Sequence, residues 1–145
     1  MLFRAPDRMV FDAAESPARW PEWDRSVRRV EATFEMASQN DGESEDIVVH
    51  TSRGRWTGRI VTWQPGRCVE IDIVKGRCLG AARGRIRRTY TNEPLGCRLT
   101  FEILLPMPEL WIAKVYAQWS LRRIEHRIGK CLSRLRHMIE CVPPD

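Results

Sequence analysis

What most limits how this chain can fold is the order of its patterns. A compact helical start is followed by a long run of alternating strands and then by one long amphipathic helix. The last segment runs from about Pro108 to Cys141. Within it Leu110, Ala117, Leu121, Ile124, Ile128, Cys131, Leu135 and Met138 recur every three or four residues and make one apolar stripe. Five or so strands precede it, each offering one apolar face. A curved antiparallel sheet wrapped around a single helix buries both sets of residues and leaves room for a cavity between them. The pattern specifies a container more clearly than its contents.

A length of 145 residues fits a single domain over 1–145 with one sizeable core. An apolar fraction of 43% is enough to build that core, and six Trp supply large contact surfaces. No apolar run approaches the roughly 18 residues of a membrane span, and the start lacks a basic-then-apolar signal pattern. The expected location is therefore cytoplasmic. Cysteines 68, 78, 97, 131 and 141 are odd in number and show no CxxC or metal-type spacing, which reads as reduced thiols. His50, His126 and His137 are far apart and show no ligand spacing, so neither a metal nor a cofactor is expected.

Along the chain, Met1 to Ala5 reads as a short strand closed by Pro6, and Asp7 to Ala14 as a short helix. Ser16-Pro17 starts a second helix, which Pro21 interrupts beside Trp20 and Trp23. From Val27 the period becomes two, with Val30, Ala32, Phe34 and Met36 on one face. Ser38 to Asp46 reads as a polar loop. Strands follow over Ile47–Arg53, Arg55–Gln64, Cys68–Lys75, Ala81–Thr91 and Cys97–Leu105, with a turn at Pro65-Gly66. Pairing across that turn sets Thr62 opposite Val69, Ile60 opposite Ile71 and Gly58 opposite Ile73. In the later hairpin, pairing Tyr90 with Cys97 sets Arg88 opposite Leu99, Ile86 opposite Phe101 and Gly84 opposite Ile103.

A net charge of +5 and a pI near 9.3 raise nucleic acid or an acidic membrane surface as partners. The arginines, however, are spread along the chain. On the outer sheet face Arg59 is expected opposite Asp72 and Arg85 opposite Glu102, with Arg83, Arg85 and Arg87 beside the strand that carries Glu70 and Asp72. A comb flanked by acids argues for a solvated ladder of ion pairs and against a nucleic-acid groove. Each exposed pair is worth roughly 0 to 1 kcal/mol.

The opening segment RAPDRMVFDAAESPARWPEWDRSVRRVE resembles that of the START-like, helix-grip (SRPBCC) proteins of the polyketide cyclase/dehydrase and lipid-transport group. Pro6, Val10, Phe11, Pro17, Trp20, Trp23 and Val30 carry the resemblance, and the order of strands and helix extends it over nearly the whole chain. It implies an α+β helix-grip fold, with a seven-stranded antiparallel sheet curved around the long C-terminal helix and two short helices after the first strand. The first strand, about five residues before Pro6, is shorter than the family's, as a truncated edge or an upstream start would make it. The resemblance implies binding of lipids, sterols, polyketides or quinones, with cyclisation or dehydration in a minority, and transfers a cavity position but no catalytic residue set.

The inner-face registers supply candidate lining residues: Trp56, Gly58, Ile60, Ile71, Ile73, Gly84, Ile86, Phe101 and Ile103 from the sheet, and Leu110, Ala117 and Leu121 from the helix. Gly58 and Gly84 would leave volume there. Arg88, beside Tyr90, is the polar candidate: a ligand carboxylate or phenolate would partner its planar fork, as would Glu125 or another helix acid. Tyr116 and Glu125 lie at the edge of the stripe. Trp111 and Trp119 lie on another face, placed to close the rim or support a homodimer. Arg122, Arg123, Arg127, Arg134 and Arg136 lie on the outer helix face. No catalytic set stands out, since His126 follows the stripe only loosely and Ser120 has no base. Three readings stay open: a non-catalytic carrier for a small hydrophobic molecule, a polyketide cyclase/dehydrase-like enzyme, and an interaction module whose cavity its own side chains fill.

Overall fold

A computed structural model describes residues 1–32, 45–79, 82–106 and 108–141. A two-residue strand β1 (Leu2–Phe3) leads through Pro6 into α1 (Asp7–Glu15), a 3-10 turn (Pro17–Arg19) and the single-turn α2 (Trp20–Trp23). Then come β2 (Val27–Ala32), β3 (Glu45–Thr51), β4 (Gly54–Gln64), β5 (Cys68–Lys75), β6 (Gly84–Glu93), β7 (Gly96–Leu104) and the long α3 (Trp111–Glu140). All seven strands form one antiparallel sheet in the order β1-β7-β6-β5-β4-β3-β2. This is the helix-grip arrangement.

Local chemistry explains the short helices. Pro6 precedes α1 and Pro17 ends it, since proline has no N–H to continue a helix ladder. Val10, Phe11, Ala14 and Glu15 lie on its buried side. Phe11 meets Trp63 and Tyr90 edge-on, at ring separations of 5.3 and 5.1 Å, which seats α1 on one end of the sheet. Pro21 falls within the first turn of α2 and is tolerated there, so Trp20 and Trp23 stay one turn apart and both are buried.

The structure corrects several expectations. Glu45 and Asp46 belong to β3 and not to a loop; Phe34, Met36 and residues 38–44 lie outside the described residues. A bulge between Ile60 and Thr62 keeps Ile60 opposite Ile71 and Gly58 opposite Ile73, but moves Thr62 to Glu70 and brings Trp63 opposite Val69. The last hairpin turns tightly between Glu93 and Gly96. Tyr90 therefore pairs with Leu99, Arg88 with Phe101 and Ile86 with Ile103, a slip of two that leaves every side chain on its expected face. Arg83 lies in a bend before β6, outside the comb. Arg59 stands opposite Asp72 as expected, though its side chain bonds Asp46 of β3. Arg85 faces Leu104 and not Glu102, which falls to Arg87 through the same slip. Arg85 takes Asp72 at 2.6 Å and Arg87 takes Glu70. The Arg87 hydrogen bond holds the Glu70 carboxyl below its ordinary range.

The core lies between the sheet and the C-terminal half of α3, where Cys131, Leu132, Leu135 and Ile139 are buried. The helix packs on α1, α2 and β1. Its N-terminal part stands free: Leu110 is 75% exposed, so it leaves the expected apolar stripe. No helix among the described residues is long and apolar enough to cross a membrane.

Candidate functional site

Between the inner sheet face and the middle of α3 lies a cavity of about 460 Å³. The sheet contributes Trp56 from β4, Ile71 from β5, Ile86 and Arg88 from β6 and Phe101 from β7. Trp20, Trp23 and Asp24 close it from the α2 side, and Cys78 and Leu79 from the β5–β6 loop. Ile128, Cys131 and Leu132 of α3 form the opposite wall. The volume lies within the range of small-molecule sites, roughly 300–1,000 Å³.

The polar end is built on a buried knot. Arg88, 4% exposed, donates from Nη2 to Glu15 Oε2 at 2.7 Å, and the Tyr90 hydroxyl donates to Glu15 Oε1. Burial alone would lower the Arg88 pKa; the Glu15 charge and hydrogen bond outweigh it and hold the guanidinium charged. Burial, then the Glu15 charge, push Tyr90 well above the ordinary tyrosine value, so it remains a donor. The guanidinium also lies 5.1 Å from the Trp20 ring centre and 5.8 Å from that of Phe101, a desolvated cation–π stack. Three buried N–H groups of wall residues have no acceptor: Arg88 Nε, Trp20 Nε1 and Trp23 Nε1. An unanswered buried donor costs about 1–3 kcal/mol, so each needs a reason to persist.

Reactive groups on the wall are few. Burial pushes the Cys78 thiol up to about 12 and the Cys131 thiol to about 11, leaving both protonated and inert near neutral pH. Among the described wall residues Asp24 is the one carboxylate, and its Oδ1 accepts from the Ser26 hydroxyl at 2.7 Å and the Ser26 N–H at 3.0 Å. Of the other wall arginines, Arg53, Arg55 and Arg77 are exposed and Arg127 is half-buried; none is ion-paired with a described residue. Among the described residues no three His, Cys, Asp or Glu side chains come together as a metal cluster.

Of the expected lining residues, Trp56, Ile71, Ile86, Arg88 and Phe101 surround this cavity. Ile60, Ile73 and Tyr90 are buried in the core beside it, and Ile103 is half-buried, none on the wall. Gly58 and Gly84 leave no volume. A Cβ on Gly58 would lie 2.6 Å from Ile71 and 2.8 Å from the Trp56 ring, and one on Gly84 (φ +145°) 2.7 Å from the Leu104 carbonyl. Leu110, Ala117 and Leu121 lie beyond the cavity, because α3 approaches the sheet only from about Arg127 onward. Arg88 finds its acid on α1, in Glu15, and not in Glu125. Sequence reasoning missed Glu15, Trp20, Trp23 and Asp24 as site residues. Their signals were a carboxylate on the apolar side of α1 and two Trp one turn apart.

The family model described as "Polyketide cyclase / dehydrase and lipid transport" matches residues 2–140. No curated protein matches the chain. Among solved structures, a protein of Mesorhizobium loti is 14% identical with a TM-score of 0.68, covering 99% of this chain and 96% of its own. The di-domain aromatase/cyclase StfQ of the steffimycin biosynthetic pathway is 14% identical with a TM-score of 0.70, covering 97% of this chain and 49% of its own. The Zhui aromatase/cyclase of a Streptomyces species is 13% identical with a TM-score of 0.66, covering 97% and 90%. At such identities the likeness is one of fold.

Proposed function

The chain belongs to the polyketide cyclase/dehydrase and lipid-transport family, and on that premise we propose that it binds and carries a small apolar molecule in the cavity between sheet and α3. The observation that carries this reading is the cavity of about 460 Å³, walled mainly by apolar side chains such as Trp56, Ile71, Ile86, Phe101 and Ile128, with Arg88 at its polar end. Such a lining fits a ligand with an apolar body and an acceptor oxygen at the Arg88 end. Glu15 already balances the Arg88 charge, so the acceptor is best a neutral carbonyl, ester or phenol oxygen and not a carboxylate.

Native mass spectrometry of freshly purified protein, followed by organic extraction, tests this. The expected result is a co-purifying apolar compound near one-to-one, or uptake of a hydrophobic fluorescent probe when the protein is empty. Ile128→Trp, at a half-buried wall position, should weaken probe binding at least about tenfold by filling the cavity. An empty protein that also ignores the probe would overturn the reading.

Asp24 favours a second reading, that of a cyclase-type enzyme, because it is the one carboxylate on the wall among the described residues. Turnover of a poly-β-carbonyl substrate that Asp24→Asn abolishes would establish it. Binding of that substrate without turnover would leave the carrier.

A further inference from the structure

We infer that the exposed face of α3 docks on an anionic lipid bilayer surface. Helical spacing sets two sides on α3. Ala117, Ile124, Ile128, Cys131 and Leu135 share the side toward the core. Trp111, Ile112, Val115, Tyr116 and Trp119 share the opposite side, with Trp111 73% and Trp119 54% exposed. On that same outer side, further along, the residues turn cationic: Arg122, Arg123, Lys130 and Arg134. Arg123 stacks over the Trp119 ring at 4.8 Å and joins the two zones.

Charge points to the partner. Helix α3 holds seven Lys and Arg against two Glu, which equals the whole net charge of +5; the remaining residues of the chain balance seventeen against seventeen. On the sheet Arg59, Arg85, Arg87 and Arg98 are taken up by acids, whereas Arg136–Glu140 is the only ion pair within α3 among the described residues. An aromatic and aliphatic tip followed by free cations is the composition that settles at a lipid–water interface. A second copy of the chain would set like charges against each other, and nucleic acid has nothing to cover Ile112 and Val115. The inference does not depend on the cavity holding a ligand.

Flotation of the full chain with two kinds of vesicle tests it: phosphatidylcholine alone, and phosphatidylcholine with about a third phosphatidylserine. Expected are at least tenfold stronger binding to the anionic vesicles, a blue shift of tryptophan emission, and loss of binding at high salt. Trp111→Ser combined with Trp119→Ser should weaken binding by tenfold or more. Arg122→Ser combined with Arg123→Ser should weaken it roughly twenty-five-fold, at about fivefold per cation. Exposed positions should leave the thermal midpoint of both variants unchanged. Equal binding to both vesicles, no binding to either, or undiminished binding by the variants would overturn the inference. So would a wild-type dimer in sedimentation that the Trp double variant dissolves, since a second copy would then own the tip. Vesicle binding by a protein with an empty, probe-inert cavity would sink the ligand reading alone.

Discussion

Glu15→Gln is the substitution that probes this structure most directly. Its carboxylate is 1% exposed, and it bridges Arg88 and Tyr90 from α1 to β6. Replacing it by an amide keeps the shape and removes the charge. Arg88, 5% exposed at the side chain, would then be a buried cation with no counter-ion. Breaking a buried pair from one side costs about 3–5 kcal/mol, much of a typical domain's 5–15 kcal/mol. In urea, with a slope near 2 kcal/mol/M, the midpoint should fall by about 2 M with the slope unchanged. Tyr90→Phe removes only one donor and should cost about 1–2 kcal/mol. The triple change Glu15→Leu, Arg88→Met and Tyr90→Phe removes charge and partners together and should return to within about 2 kcal/mol of the parent. A Glu15→Gln midpoint within about 0.5 M of the parent would refute the reasoning, because Arg88 would then be finding water or another acid.

Three further outcomes follow from packing and titration. Gly58→Ala should lower stability by about 1–3 kcal/mol, measured by thermal melting, because its Cβ meets both Ile71 and the Trp56 ring. Cys78 titrates near 9.0 unfolded and at about 12 folded, so its contribution is whole below pH 9 and is lost as pH rises toward 12. A melting series from pH 7 to 11 should therefore decline above about pH 9, less steeply in Cys78→Ala. In native protein at neutral pH an alkylating reagent should label Cys141, which is exposed, and spare buried Cys78, Cys97 and Cys131, as peptide mass spectrometry would show.

Strand patterning and the amphipathic period made the sheet, its inner face and α3 legible, because both periods are local. A slip of two residues in the β6–β7 hairpin did not matter, since side chains repeat every second residue. Distances between elements were not legible. The stripe on α3 continues back to Leu110, yet nothing in it says where the helix leaves the sheet. The partner of Arg88 is 73 residues away, and only the seating of Phe11 on Trp63 and Tyr90 brings Glu15 to it. Glycine was misread for a similar reason: a missing side chain marks volume only if no neighbour fills it, and Trp56 and Ile71 fill the place beside Gly58.

The strand order also dictates a sequence of events. From β2 to β7 every neighbour in the sheet is the next strand along the chain, so the meander can zip from local hairpins. Among the described residues, β1 on β7 and the seating of α1 and α3 are what join distant parts of the chain. We expect φ-values near the middle strands to exceed those at Glu15 and Leu135, a ranking that reversed values would contradict. The floor of the container is thus laid before its walls. A newly made chain would display the inner sheet face to its surroundings until α3 arrives, and what reaches that face first meets it without a mouth to pass.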